Sequence, residues 1–166
     1  MVSLVKAQNI SANTVAPIQR LARAMMVSNG QFSLILACCN SVHRQQQILS
    51  WLKEFSSVHF QEILLPPTAQ TLYTTICNNL ESKQPEALMV KGLESVVAIN
   101  ELIVCTNIMR DELRKQFKFP MILWVTDDTL KKLVLLAPDF KDWAASTIRF
   151  DTANNEPRQK QIVKAR

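Results

Sequence analysis

Apolar residues in this chain fall into two patterns, short unbroken runs and stripes at helical spacing. The first run, FSLILACC at 32–39, lies between Asn29-Gly30 and Asn40-Ser41. A continuous apolar run bounded by turn residues predicts a strand buried on both faces. EALMV at 86–90 and MILWV at 121–125 are runs of the same kind. VHFQEILL at 58–65 alternates before turning fully apolar and is ended by Pro66-Pro67, while STIRF at 146–150 reads as a fifth, edge-like strand.

Helical stripes fill the intervals. Pro17 is placed to open a helix whose apolar side is Ile18, Leu21, Ala22 and Met25, and Asn29-Gly30 stops it. Ser41 is the expected N-cap of a helix over Val42–Phe55, with Ile48, Trp51, Leu52 and Phe55 on one side. Thr68 is positioned to cap a helix carrying Leu72, Ile76 and Leu80. A long helix is predicted over Val97–Phe117 and a short one through Leu130, Leu133 and Val134, followed by a turn at Ala137–Phe140.

Strands therefore alternate with helices five times. That order predicts an α/β three-layer sandwich around a five-stranded, mostly parallel sheet, of the P-loop NTPase-like or Rossmann-like kind. Residues 15–151 form the domain, 1–14 an N-terminal arm and 152–166 a basic, flexible tail. In open sheets of this type ligands bind beyond the carboxyl ends of the strands. The loops to inspect are Asn40–Arg44, Pro66–Gln70, Lys91–Ser95 and Thr126–Thr129.

Composition narrows the function. The chain has 166 residues, 48% of them hydrophobic, which suits one domain with a real core. Its apolar runs are far shorter than the ~20 residues that span a bilayer, and no secretory leader is evident, so a cytoplasmic protein is expected. The net charge of +5 includes a tail with four basic and two acidic residues, leaving +3 for residues 1–150. That is modest for a nucleic-acid binder. The basic helix end with Arg110, Arg114, Lys115 and Lys118 is interleaved with Asp111 and Glu112, as a solvated face would be. Cys38, Cys39, Cys77 and Cys105 form no Cys-x-x-Cys pair, and His43 and His59 are the sole histidines. Buried, reduced thiols are expected, and no metal site.

A phosphate-binding loop needs glycines so that several N–H groups converge, together with a lysine and a hydroxyl. The turn at Asn40–Gln45 has neither glycine nor lysine, and the whole chain has two glycines, Gly30 and Gly92. Conventional nucleotide hydrolysis is not expected. A weak nucleotide or anion site built from Asn40, Ser41, Arg44 and Glu94 is the residual candidate, against the plainer reading that Ser41 caps and Arg44 is solvated. Asp127 and Asp128 are suited to magnesium or general-base work, but Thr126 or Asp127 as a helix cap explains them as well. A Cys39–His43 pair is the one nucleophile–base combination close in sequence. Trp124 reads as core and Trp51 as part of an apolar helix face. Trp143, with Phe140, lies in a polar connection and either packs that turn onto the sheet or anchors a partner.

Three stretches together carry a resemblance: FSLILACCNS, ALMVKGLES, and TNIMRDELRKQFKFPMILWVTDDTLKKLVLLAPDFKDWAASTIRF. The most specific parts are N-x-x-R-D at Asn107–Asp111, F-P-x-x-L-W at Phe119–Trp124 and A-P-D-F-x-x-W-A at Ala137–Ala144. Over residues 15–151 the chain resembles the N-terminal module of large cyanobacterial multidomain proteins that continue into WD-type or tetratricopeptide repeats. Its layout also resembles the AAA+ and STAND P-loop NTPase-like folds. In that comparison Glu94 falls at the acidic strand end and Asn40–Gln45 at the phosphate loop, without the motif. The resemblance implies a degenerate NTPase-like scaffold, without enzyme activity or cofactor, in assembly or signalling. A protein partner contacting Phe140, Trp143, Arg110 and Arg114 is the expectation, with self-association as a further option and a nucleic-acid accessory role as the weakest.

Overall fold

The computed structural model describes residues 12–81 and 83–150. Its strands are β1 (Ser33–Cys38), β2 (Phe60–Leu64), β3 (Ala87–Lys91), β4 (Pro120–Val125) and β5 (Thr147–Arg149). Its helices are α1 (Ala12–Val27), α2 (Val42–Phe55), α3 (Leu72–Asn79), α4 (Ile99–Ile108), α5 (Arg110–Gln116), α6 (Asp127–Leu136) and the single turn α7 (Pro138–Lys141). A 3₁₀ turn, Leu93–Ser95, follows β3. The N-terminal arm up to residue 11 and the basic tail at 152–166 lie outside the described residues.

All five strands are parallel, in the order β2-β3-β4-β1-β5. The three-layer α/β architecture expected from the alternating pattern is thus present. The chain crosses from β1 to β2 in one direction and returns through β3, β4 and β5 in the other. When crossovers share one hand, that reversal puts the β1–β2 helix on one face and the later helices on the opposite one. The two cores follow this division. Leu34, Leu36 and Cys38 point to the side of Leu72, Ile103, Leu113 and Leu133, while Ile35, Ala37 and Cys39 point to Leu21, Met25, Ile48 and Leu52. Successive strand residues alternate faces, so a sheet covered on both sides requires the unbroken apolar runs seen in β1, β3 and β4. Trp124 is core, as expected. It is 1% exposed, stacks 5.4 Å from Phe150 and donates its indole N–H to Met89 Sδ at 3.3 Å.

Several element boundaries differ from the expectation. The first helix begins at Ala12, within the stretch assigned to the arm, and Pro17 lies inside it. Pro17 removes one intrahelical hydrogen bond there, but Ile18, Leu21 and Met25, all fully buried, hold the helix on the sheet. Thr71, not Thr68, caps α3, its Oγ1 accepting from the Thr74 N–H at 3.0 Å. The helix predicted over Val97–Phe117 is two helices that meet at Met109. There the Arg110 guanidinium donates to the Asn107 carbonyl at 2.6 Å, an acceptor that a continuous helix would offer to residue 111. Two thiols depart from the buried expectation. Cys38 and Cys39 are buried, but Cys105 is half-buried and Cys77 exposed, because Ile76 and Leu72 already occupy the inward side of α3.

Gly92 joins β3 to the 3₁₀ turn with φ +88°. Beside it the Leu65 N–H donates to the Lys91 carbonyl at 2.8 Å, and the Val97 N–H donates to the Pro67 carbonyl at 2.9 Å. These bonds tie the loops after β2 and β3 together.

Candidate functional site

β1 and β4 are neighbours whose following helices leave to opposite faces. Such a divergence opens the crevice in which parallel α/β sheets bind ligands. In this protein a side-chain clasp closes it. Asn40 follows β1, and Asp127 opens the helix that follows β4. Asn40 Nδ2–H donates to Asp127 Oδ2 at 2.9 Å, and the Asp127 backbone N–H donates back to Asn40 Oδ1 at 2.8 Å. Arg149, at the end of β5, donates to Asp127 Oδ1 at 2.9 Å, and the Cys38 thiol reaches the same oxygen at 3.4 Å. The clasp therefore gathers the carboxyl ends of β1, β4 and β5.

Electrostatics follow from these contacts. The hydrogen bond from Asn40, then that from Arg149, hold the Asp127 carboxyl below the ordinary carboxylate range, against a small opposing effect of burial. An ionised Asp127 is thus favoured by the folded state. Its contribution is present in full above the ordinary carboxylate pKa and is lost as the pH falls through the lowered native value. Asp127 and Arg149 are each 53% exposed, so the pair is worth at most ~1 kcal/mol. Asp127→Asn is expected to lower the thermal midpoint slightly at pH 7. Melts at successively lower pH should show the gap to the unaltered protein closing as Asp127 protonates; a gap that widened towards acid would contradict this sign.

The other proposed site residues do not converge. Ser41 caps α2, its Oγ accepting from the Arg44 N–H at 3.1 Å. Arg44 is not simply solvated: it is half-buried and its Nη1–H donates to the buried Thr14 Oγ1 of α1 at 3.1 Å, which fastens α1 to the start of α2. Glu94 is exposed on the 3₁₀ turn after β3, and β3 is separated from β1 by β4. Thr126, one of the two expected caps, closes a capping box with Thr129, so the acidic pair Asp127-Asp128 begins α6, where negative charge is favoured. Cys39 is buried with its thiol directed to the Ser41 carbonyl at 3.4 Å, whereas His43 is exposed. Among the described residues no group of three or more His, Cys, Asp or Glu is placed to hold a metal ion, and no helix is long and apolar enough to cross a membrane.

No family model matches the chain, and no curated protein matches it.

The residues suggested for partner contact turn out to build one corner of the fold. Phe140 is completely buried, so it is not presented to a partner. Its backbone N–H is accepted by Asn107 Oδ1 at 2.9 Å, which supplies from α4 the capping oxygen that Ala137 lacks. Trp143 is half-buried, 6.0 Å from Phe32 and 6.1 Å from Phe140, with the Arg114 guanidinium 5.1 Å over its ring. Arg114 also pairs with Asp111 at 3.0 Å, and Arg110 lies 4.0 Å from Asp139. Asn107, Arg110, Asp139 and Phe140 thus explain the N-x-x-R-D and A-P-D-F stretches by packing. The clasp partners Asn40 and Asp127 are 87 residues apart in the chain, and no local spacing announces their contact.

Proposed function

We propose that this domain is a non-catalytic interaction or regulatory module, built on a P-loop-like scaffold whose nucleotide crevice is occupied by its own side chains. The observation that carries this reading is the Asn40–Asp127–Arg149 clasp across β1, β4 and β5. It commits the Asn40 amide and the Arg149 guanidinium to the Asp127 carboxylate instead of to a phosphate, and the adjoining turn offers no glycine to wrap one. A protein partner is favoured by the outward faces of α4 and α6, where Ile108 is 74% and Leu135 78% exposed.

Titration calorimetry with ATP and magnesium is expected to give no heat, and the nucleotide no shift in thermal midpoint. Binding that disappears in Arg44→Ala would instead assign the crevice to nucleotide. The partner surface is tested by parallel affinity capture with the natural chain and with Ile108→Lys/Leu135→Lys. These positions are exposed, so the variant should melt normally, and proteins retained by the natural chain should be missing. Identical retention by both would remove α4 and α6 from the interface.

A further inference from the structure

The sheet has a notch at the opposite end from the clasp. All six residues of β1 pair with β4, but on the other flank β5 pairs only with Leu36–Cys38. Among the described residues, the first half of β1, Ser33–Ile35, has no strand on that side. The Cys39 N–H donates to Val125 in β4 at 2.9 Å, and the Cys38 carbonyl accepts from Phe150 beyond β5 at 3.0 Å. Peptide groups alternate sides along a strand, so that of Leu34, like that of Cys38, is directed to the β5 flank, where the strand has ended.

Below β5 the gap widens into a cavity of about 440 Å³. It is lined by Ser33, Leu34 and Ile35 of β1, by Trp143 and Ser146 before β5, and by Arg20 and Arg23 of α1. Among the described residues no acidic one lines it. The two arginines lie one helical turn apart, are exposed, and form no ion pair among the described residues. Ser33 Oγ is buried and has no hydrogen-bond partner among the described residues.

We propose that this notch receives an extended, acidic peptide segment of a partner protein. The segment adds beside Ser33–Ile35 in line with β5 and sets a carboxylate against Arg20 and Arg23. An unpaired strand edge offers main-chain hydrogen bonds to an extended chain, and flanking pockets then select side chains. A paired guanidinium rim selects carboxylate, with charge-assisted hydrogen bonds. A small inorganic anion would engage the rim alone and leave the Leu34 peptide group unused. The inference extends the interaction reading above but is tested separately from it.

A display library of random, terminally blocked seven-residue peptides, panned on the whole chain, is expected to enrich acidic sequences. The enriched peptide should bind in a salt-sensitive titration. Arg20→Ala/Arg23→Ala should weaken it about tenfold or more while the thermal midpoint stays unchanged, and N-methylation of alternate peptide amides should abolish binding. Selection without acidic enrichment, equal binding by the double variant, or indifference to N-methylation would overturn the proposal. So would displacement by inorganic phosphate or a dT oligonucleotide at concentrations similar to the peptide's own, which would reassign the rim to phosphate. A silent ATP titration together with absent peptide binding rejects the notch alone. ATP binding in the crevice with peptide binding intact rejects the interaction-only reading and leaves the notch.

Discussion

Replacing Phe140 with alanine is expected to destabilise the domain by about 3–5 kcal/mol, the usual range for removing a fully buried phenylalanine. Phe140 is 0% exposed and belongs to the core cluster that contains Leu133, Ala137 and Ala144. It is also the residue whose N–H is held by Asn107, so a collapse of the site would loosen α7 against α4. For a chain of this size 1 kcal/mol corresponds to roughly 2–4 °C, so the midpoint should fall by on the order of 10 °C. Trp143→Ala, at a half-buried position, should cost less. Denaturant melts of the two variants give the comparison. A Phe140→Ala protein that melted like the parent would mean that the ring is a surface anchor after all.

Gly92→Ala is expected to cost about 2–3 kcal/mol, and Gly30→Ala about 1 kcal/mol, although both glycines have positive φ, +88° and +81°. Their surroundings make the difference. A Cβ on Gly92 would stand 2.7 Å from Leu64 Cδ1 and 3.2 Å from the Leu65 carbonyl oxygen, whereas a Cβ on Gly30 meets nothing within 4 Å. Leu64 is 69% exposed and can swing aside, but the Leu65 backbone is held by its bond to Lys91. Accommodation must therefore shift the joined β2 and β3 loops. Equal thermal losses for the two substitutions would show that φ alone sets the cost and that the close approach at Gly92 is tolerated.

The layered architecture was legible in the sequence because β1, β3 and β4 are buried on both faces and cannot carry polar residues at alternate positions. Local boundaries were less legible wherever packing overrode the spacing. Pro17 suits a first turn, yet the buried run through Met25 carries the helix past it. The apolar spacing from Val97 to Phe117 continues across Met109, and the break there comes from Arg110 and Asn107 turning to the backbone and to α7. Phe140 and Trp143 looked alike, two aromatics in a polar connection. Only the fold separates them, because one points under α7 and the other towards Phe32 at the rim. The clasp was invisible for a different reason: Asn40, Asp127 and Arg149 are each ordinary as local signals, and their meaning arises when β4 is inserted between β3 and β1.

That insertion also governs the order in which the chain can assemble. Among the described residues β1 finds its neighbouring strands in β4 and β5, and its first register pair, Ser33 with Pro120, spans 87 residues. As the polypeptide leaves the ribosome, FSLILACC has no sheet to join until most of the domain has been synthesised. β2 and β3, by contrast, are adjacent in sequence and can pair early. Long-range parallel pairing is slow, because the loop must be closed before the contact rewards it. The greasiest strand of the protein is thus also the one that waits longest for its neighbours.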